Sequence, residues 1–137
     1  MTTKILVADA DADVRHLLQA RLTKAGYQVF AVATGFEATE LIESIQPEVV
    51  VCGVRLPEQD GLTLTRRLKA QANAPLVILL TIMNRDQDIA AGFAAGADDY
   101  MLKPFSPLVL AERVRVNLIR TGRMAPVEET ESEAADE

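Results

Sequence analysis

Five short, nearly unbroken apolar runs constrain this chain more than any other feature. They are KILVAD (residues 4–9), QVFAVA (28–33), EVVVCG (48–53), PLVILLT (75–81) and DYMLKP (99–104). A strand with one wet face alternates apolar and polar residues, whereas an unbroken run is read as buried on both faces, as in a parallel sheet covered by helices. The intervening segments carry helical spacing. Val14, Leu17, Leu18, Leu22 and Ala25 share one face, and Gly26 stops that helix. Ala38, Leu41, Ile42 and Ile45 repeat the pattern before Pro47, and Leu64 and Leu68 stand one turn apart. Ile89, Ala90 and Phe93 share a side ahead of Gly96. Ser106-Pro107 opens a last helix, as an N-cap followed by proline at the first helical position. Strands alternating with helices predict an α/β domain of five βα units, with helices on both faces of a parallel sheet.

At 137 residues the chain is long enough for one domain with a real core and short for two. No apolar run approaches the roughly 20 residues that span a bilayer. The start, MTTKILVADAD, has no signal-peptide pattern. The single cysteine, Cys52, excludes an internal disulfide and a Cys-based zinc cluster, and inside an apolar strand it reads as a buried thiol. These features predict a cytoplasmic protein without a membrane role. Of the net charge of −6, all is accounted for by residues 124–137, which hold six acids and no base. The reading divides the chain into a domain over 1–122 and an acidic tail over 123–137, expected to be disordered and to serve solubility. The remaining 14 acids and 14 bases balance, and a neutral body without a basic stretch argues against nucleic-acid binding.

Open parallel sheets carry their sites at the carboxyl ends of strands. The loops there hold Asp9 (with Asp11 and Asp13), Gly53, Thr81 and Lys103. The motifs ILVADADADVR, PEVVVCGVRLPEQDG, LLT and GADDYMLKPFSPLVLAERVR, in this order and spacing, resemble the receiver domain of bacterial response regulators from residue 4 to about 120. The resemblance implies a flavodoxin-like sheet in the order 2-1-3-4-5 and a role in two-component signalling. DDYMLKPF and the arginine-bearing last helix resemble the subfamily joined to a winged-helix domain. This sequence ends without one, which gives the expectation of a stand-alone receiver.

In that family an aspartate at the end of the third strand accepts a phosphoryl group from a histidine kinase. Two acids after the first strand help it hold Mg²⁺, and a threonine and a lysine grip the phosphoryl oxygens. The chemistry needs a nucleophile and cations to offset the phosphoryl charge. Here Asp9, Thr81 and Lys103 match, but the second acid falls on Ala10 and the acceptor on Gly53. Mg²⁺ prefers near-octahedral oxygen coordination with carboxylates. With Asp9 alone remaining, no cofactor is expected and Mg²⁺ binding should be weak or absent. Asp11 points along a different part of the loop and is not expected to substitute. The reading is therefore a degenerate, non-catalytic receiver that is not phosphorylated and acts through protein contacts. Asp9 and Lys103 are expected to form an ion pair, since a buried lysine needs a partner.

Thr81 reads equally as a switch residue or as a polar strand end capped by backbone. Tyr100 matches the family's rotating aromatic and is expected to stay in one position. The resemblance also implies a cis Lys103–Pro104 bond. His16, without a second histidine, reads as a surface residue.

The core stripe of the last helix should be Leu110, Val114 and Leu118, with Leu108, Val109, Val116 and Ile119 off it. Asp98, Asp99, Val109, Arg113 and Val116 are candidates for a partner or self-association surface on helix 4, strand 5 and helix 5. Scattered exposed apolar residues are also the ordinary condition of a surface. Two other readings stand beside this one. ILVADADAD also resembles the first motif of haloacid-dehalogenase-type phosphatases, with Asp9 as nucleophile and Asp11 as acid/base. An ordinary receiver carrying an engineered Asp-to-Gly change is the other, and Ala10 counts against it.

Overall fold

The computed structural model describes residues 2–126. The expected tail over 123–137 lies mostly outside them. The elements run β1 (Lys4–Ala8), α1 (Ala12–Lys24), β2 (Gln28–Val32), α2 (Gly35–Ile45), β3 (Val49–Gly53), α3 (Gly61–Lys69), β4 (Leu76–Thr81), α4 (Asp86–Ala94), β5 (Asp99–Leu102) and α5 (Pro107–Arg120). All four strand pairings are parallel, and the order is β2-β1-β3-β4-β5. This is the five-stranded, flavodoxin-like arrangement expected of the receiver fold. The order reverses between β1 and β3, so the crevice lies above the carboxyl ends of those strands.

The period of two along each strand sorts the core into two layers. Ile5, Val7, Val49, Val51, Ile78 and Leu80 pack against Val14, Leu18 and Leu22 of α1 and Leu110, Val114 and Leu118 of α5. Leu6, Ala8, Val50, Cys52, Val77 and Leu79 face Ala38 and Ile42 of α2 and Leu64 and Leu68 of α3. β3 and β4 are buried at every position. Each fully buried leucine on these helices contributes about 1.5–3 kcal/mol by leaving water.

The strand runs hold as expected, with one correction. β2 and β5 are edge strands and are only partly covered, so unbroken hydrophobicity does not seal them on both faces. The helix faces also differ in detail. Leu17 and Ala25 are exposed although they fit the apolar stripe of α1. On α4 the buried residue is Gly92, while Ala90 and Phe93 face outward. A Cβ on Gly92 would stand 2.7 Å from the Tyr100 ring, so a side chain at this position would have to displace that ring.

Helix starts follow the capping chemistry. Asp11, Thr34, Asp60 and Ser106 each accept from a backbone N–H two or three residues on. Gly26 follows α1 with φ +101°, a conformation that glycine adopts without steric cost. Past α5 the chain remains attached. Met124 packs against the α1/α5 layer, and the Arg123 guanidinium donates to the carbonyls of Glu48 and Ala74. Both residues were assigned to the tail from composition, which does not register a pair of carbonyl contacts.

Candidate functional site

The pocket sits at the carboxyl ends of β1, β3, β4 and β5. It has a volume of about 170 Å³ and is lined by Asp9, Gly53, Val54, Arg55, Leu80, Thr81, Ile82 and Lys103. Four of the five pocket residues expected from sequence therefore meet. Ala10 does not line it. It is exposed, and its carbonyl accepts from Arg15, which also donates to the Asp9 carbonyl at 2.8 Å.

Asp9 is 3% exposed and is the pocket's one carboxylate. Its Oδ1 accepts from the Asp11 N–H at 2.9 Å and from Lys103 Nζ at 3.1 Å. Nζ lies closer to Oδ2, at 2.9 Å, but there the approach is off the hydrogen-bond direction. Oδ2 thus feels the lysine's charge while lacking an aligned donor. The expected Asp9–Lys103 pair is present. The Lys103–Pro104 bond behind it is cis.

Gly53 stands where an acceptor side chain would start. A Cβ there would lie 3.1 Å from Asp9 Oδ2 and 3.7 Å from the Leu80 carbonyl. The position is tight on one side only, against the free end of a side chain. Thr81 is 4% exposed, and its Oγ1 accepts from the Met83 N–H at 3.2 Å. That contact is the backbone capping considered for it.

The Tyr100 hydroxyl donates to the Met83 carbonyl at 2.8 Å, so Tyr100 and Thr81 hold the same loop. The Tyr100 ring packs on Gly92 and lies 6.2 Å from the Phe93 ring. Burial raises the Tyr100 pKa, with the Asp88 charge acting in the same direction. Beneath the pocket, burial pushes the Cys52 thiol up to about 12, against a lowering hydrogen bond with Thr65 and with smaller raising effects from Asp9 and Asp60. It remains a protonated thiol at neutral pH.

Asp11 is spent on the fold. Its carboxylate accepts from the Asp13 N–H at 2.9 Å and caps α1. This leaves it exposed and facing its own helix, and gives no support to a phosphatase acid/base role. The lining residues Arg55 and Ile82 were not singled out from sequence. No chemical pattern marks them; Ile82 directly follows β4, and Arg55 stands two residues past the end of β3.

Around the corner, Asp99 accepts from Arg113 at 2.8 Å and from Asn117. Val109, Arg113 and Val116 line one shallow apolar groove on α5. Asp98 is directed elsewhere. Its Oδ2 takes Lys69 Nζ and the Val77 N–H, both at 2.8 Å, tying α3 to the start of β4. It is an internal brace and does not join the candidate partner surface. His16 is exposed, as expected.

A doubly wound parallel domain, with an aspartate, a threonine and a lysine from three strand ends around one crevice, defines a receiver-type module. Residues 5–115 match the family described as response regulator receiver domain. The chain belongs to that family. It is 36% identical over 122 residues to "Probable transcriptional regulator ycf27" of Guillardia theta, covering 89% of this chain and 48% of that protein. It is also 36% identical over 133 residues to the alkaline phosphatase synthesis transcriptional regulatory protein PhoP of Bacillus subtilis, covering 97% and 55%. The chain thus spans about half the length of these curated relatives.

Among solved structures, the Francisella response regulator 1452 receiver domain superposes with TM-score 0.82 at 31% identity, over 88% of this chain and 99% of that one. The signal receiver domain of a histidine kinase from Syntrophus aciditrophicus gives 0.81 at 32%, over 92% and 97%. No helix among the described residues is long and apolar enough to cross a membrane.

Proposed function

We propose that this receiver does not take up a phosphoryl group and acts through protein–protein contact as a non-enzymatic signalling component. The carrying observation is Gly53, which offers no side-chain atom at the end of β3 where an acceptor would stand. The one carboxylate in the pocket is already paired with Lys103. A lone paired carboxylate also does not fit Mg²⁺, which wants several oxygens. Among the described residues, no cluster of three or more His, Cys, Asp or Glu could hold a metal. Incubation with acetyl phosphate and Mg²⁺ is expected to leave the intact mass unchanged. A gain of one phosphoryl mass, at any residue, would refute this function.

The contact surface follows from exposed apolar side chains. Phe93 on α4, Leu102 on β5 and Val109 and Val116 on α5 are each 41–47% exposed, beside the Arg113–Asp99 pair. A protein partner or a second copy is expected to cover this face, with neither nucleic acid nor membrane involved. Val116→Glu should convert a self-associating chain to monomer in light scattering, or weaken partner capture. Identical masses and identical captured partners for variant and parent would remove this surface from consideration.

A further inference from the structure

The pocket is more than the remains of a phosphoryl site, because its polar groups are unevenly satisfied. Asp9 is 97% buried, and its Oδ2, although 2.9 Å from Lys103 Nζ, has no donor along its hydrogen-bond direction. That oxygen faces the space over Gly53, 3.1 Å from where a Cβ would be. A buried acceptor of this kind favours a ligand that brings an N–H. An anion seated directly on that oxygen would stand against the Asp9 carboxylate, whose charge Lys103 alone offsets, so an anionic group is better placed toward Arg55.

The rest of the lining asks for the opposite group. The Thr81 hydroxyl accepts from Met83, and its own proton has no protein acceptor among the described residues. Arg55 is exposed at the rim and makes no ion pair among the described residues. Counting Asp9, Lys103 and Arg55, the lining carries one net positive charge. Between these poles the walls are apolar: Val54, Leu80 and Ile82, the last 67% exposed. The volume equals that of about five or six molecules of liquid water.

We propose that this pocket binds a small aliphatic α-amino acid as its zwitterion. The ammonium donates to Asp9 Oδ2 over Gly53, and the carboxylate meets Arg55 and the Thr81 hydroxyl. The aliphatic side chain lies along Val54 and Ile82, while Lys103 stays on Asp9. This deepens the reading of a receiver without phosphoryl uptake and rests on it, because a side chain at position 53 would fill the ammonium's place. The ligand would set the position of the loop that Thr81 and Tyr100 both hold.

The test is an amide-resolved NMR titration of the full chain with L-valine. Isobutylamine, isobutyrate and inorganic phosphate serve as single-headed probes. Valine is expected to shift Gly53, Val54, Thr81 and Ile82 saturably, at about tenfold lower concentration than any single-headed probe. Arg55→Ala, at an exposed position, should weaken valine about tenfold, as for loss of one charged hydrogen bond. Gly53→Asp should abolish the response. Absence of saturable shifts, equal potency of a single-headed probe, or an Arg55→Ala variant that binds like the parent would each overturn the proposal. A phosphoryl mass gain with acetyl phosphate would instead strike the underlying reading, and is scored separately on the unliganded chain.

Discussion

Gly61→Ala is expected to lower the free energy of unfolding by about 3 kcal/mol, in the upper part of the range for overpacking. A Cβ at Gly61 would stand 2.1 Å from the Gly53 carbonyl oxygen and 3.0 Å from Val54 Cα. Both are backbone atoms, so no rotamer change relieves the clash. The Gly61 N–H also donates to the Val54 carbonyl at 2.7 Å, so separating the two segments breaks a hydrogen bond as well. Gly26→Ala is the control. Nothing lies within 4 Å of its Cβ, and only its φ of +101° is unfavourable. That strain costs about 1 kcal/mol. Urea midpoints at constant m separate the two cases, and equal losses at Gly61 and Gly26 would show that the contact is soft. The larger loss should be accompanied by displacement of Gly53, visible in its amide resonance.

Lys103→Met is expected to cost about 2–4 kcal/mol at neutral pH. The variant keeps much of the side chain's bulk and removes its charge. Asp9 then remains buried with the Asp11 N–H as its aligned donor. Breaking a buried pair costs about 3–5 kcal/mol. The lysine side chain is 23% exposed, so water recovers part of that. Asp9→Asn combined with Lys103→Met should restore most of the loss, because the stranded charge is then gone. A double-mutant cycle by chemical denaturation measures the coupling. A single-variant cost below about 0.5 kcal/mol would place the pair in the class of surface ion pairs instead.

The sheet was legible because β3 and β4 are apolar at nearly every position, which only a doubly covered strand needs. The pocket was legible because its polar residues directly follow strand ends, where an open parallel sheet collects them. What stayed hidden has physical reasons. Gly92 faces inward on α4, yet glycine gives no hydrophobic signal, so the periodicity of that helix pointed to Phe93. Leu17 has the spacing of a core residue yet is 46% exposed, because helical spacing alone does not report how wide a stripe the neighbouring elements cover. Asp98 and Asp99 are adjacent and chemically alike, and only their places, one just before β5 and one at its first position, send one to Lys69 and the other to Arg113. The closure of Gly61 on Gly53 joins two residues whose sequence context reads simply as a turn.

The Arg123 clamp bears on how any message could travel. Its guanidinium holds the carbonyls of Glu48 and Ala74, which precede β3 and β4, whereas the pocket lies past the far ends of those strands. The described body therefore hands over the chain at the pole opposite the pocket. Five residues of strand, about 17 Å at ~3.3 Å per residue, separate the two. Occupancy of the pocket has no direct lever on the exit. The connection between the two poles is α5, a rigid rod whose first turn follows Lys103 and whose end stands three residues before the clamp.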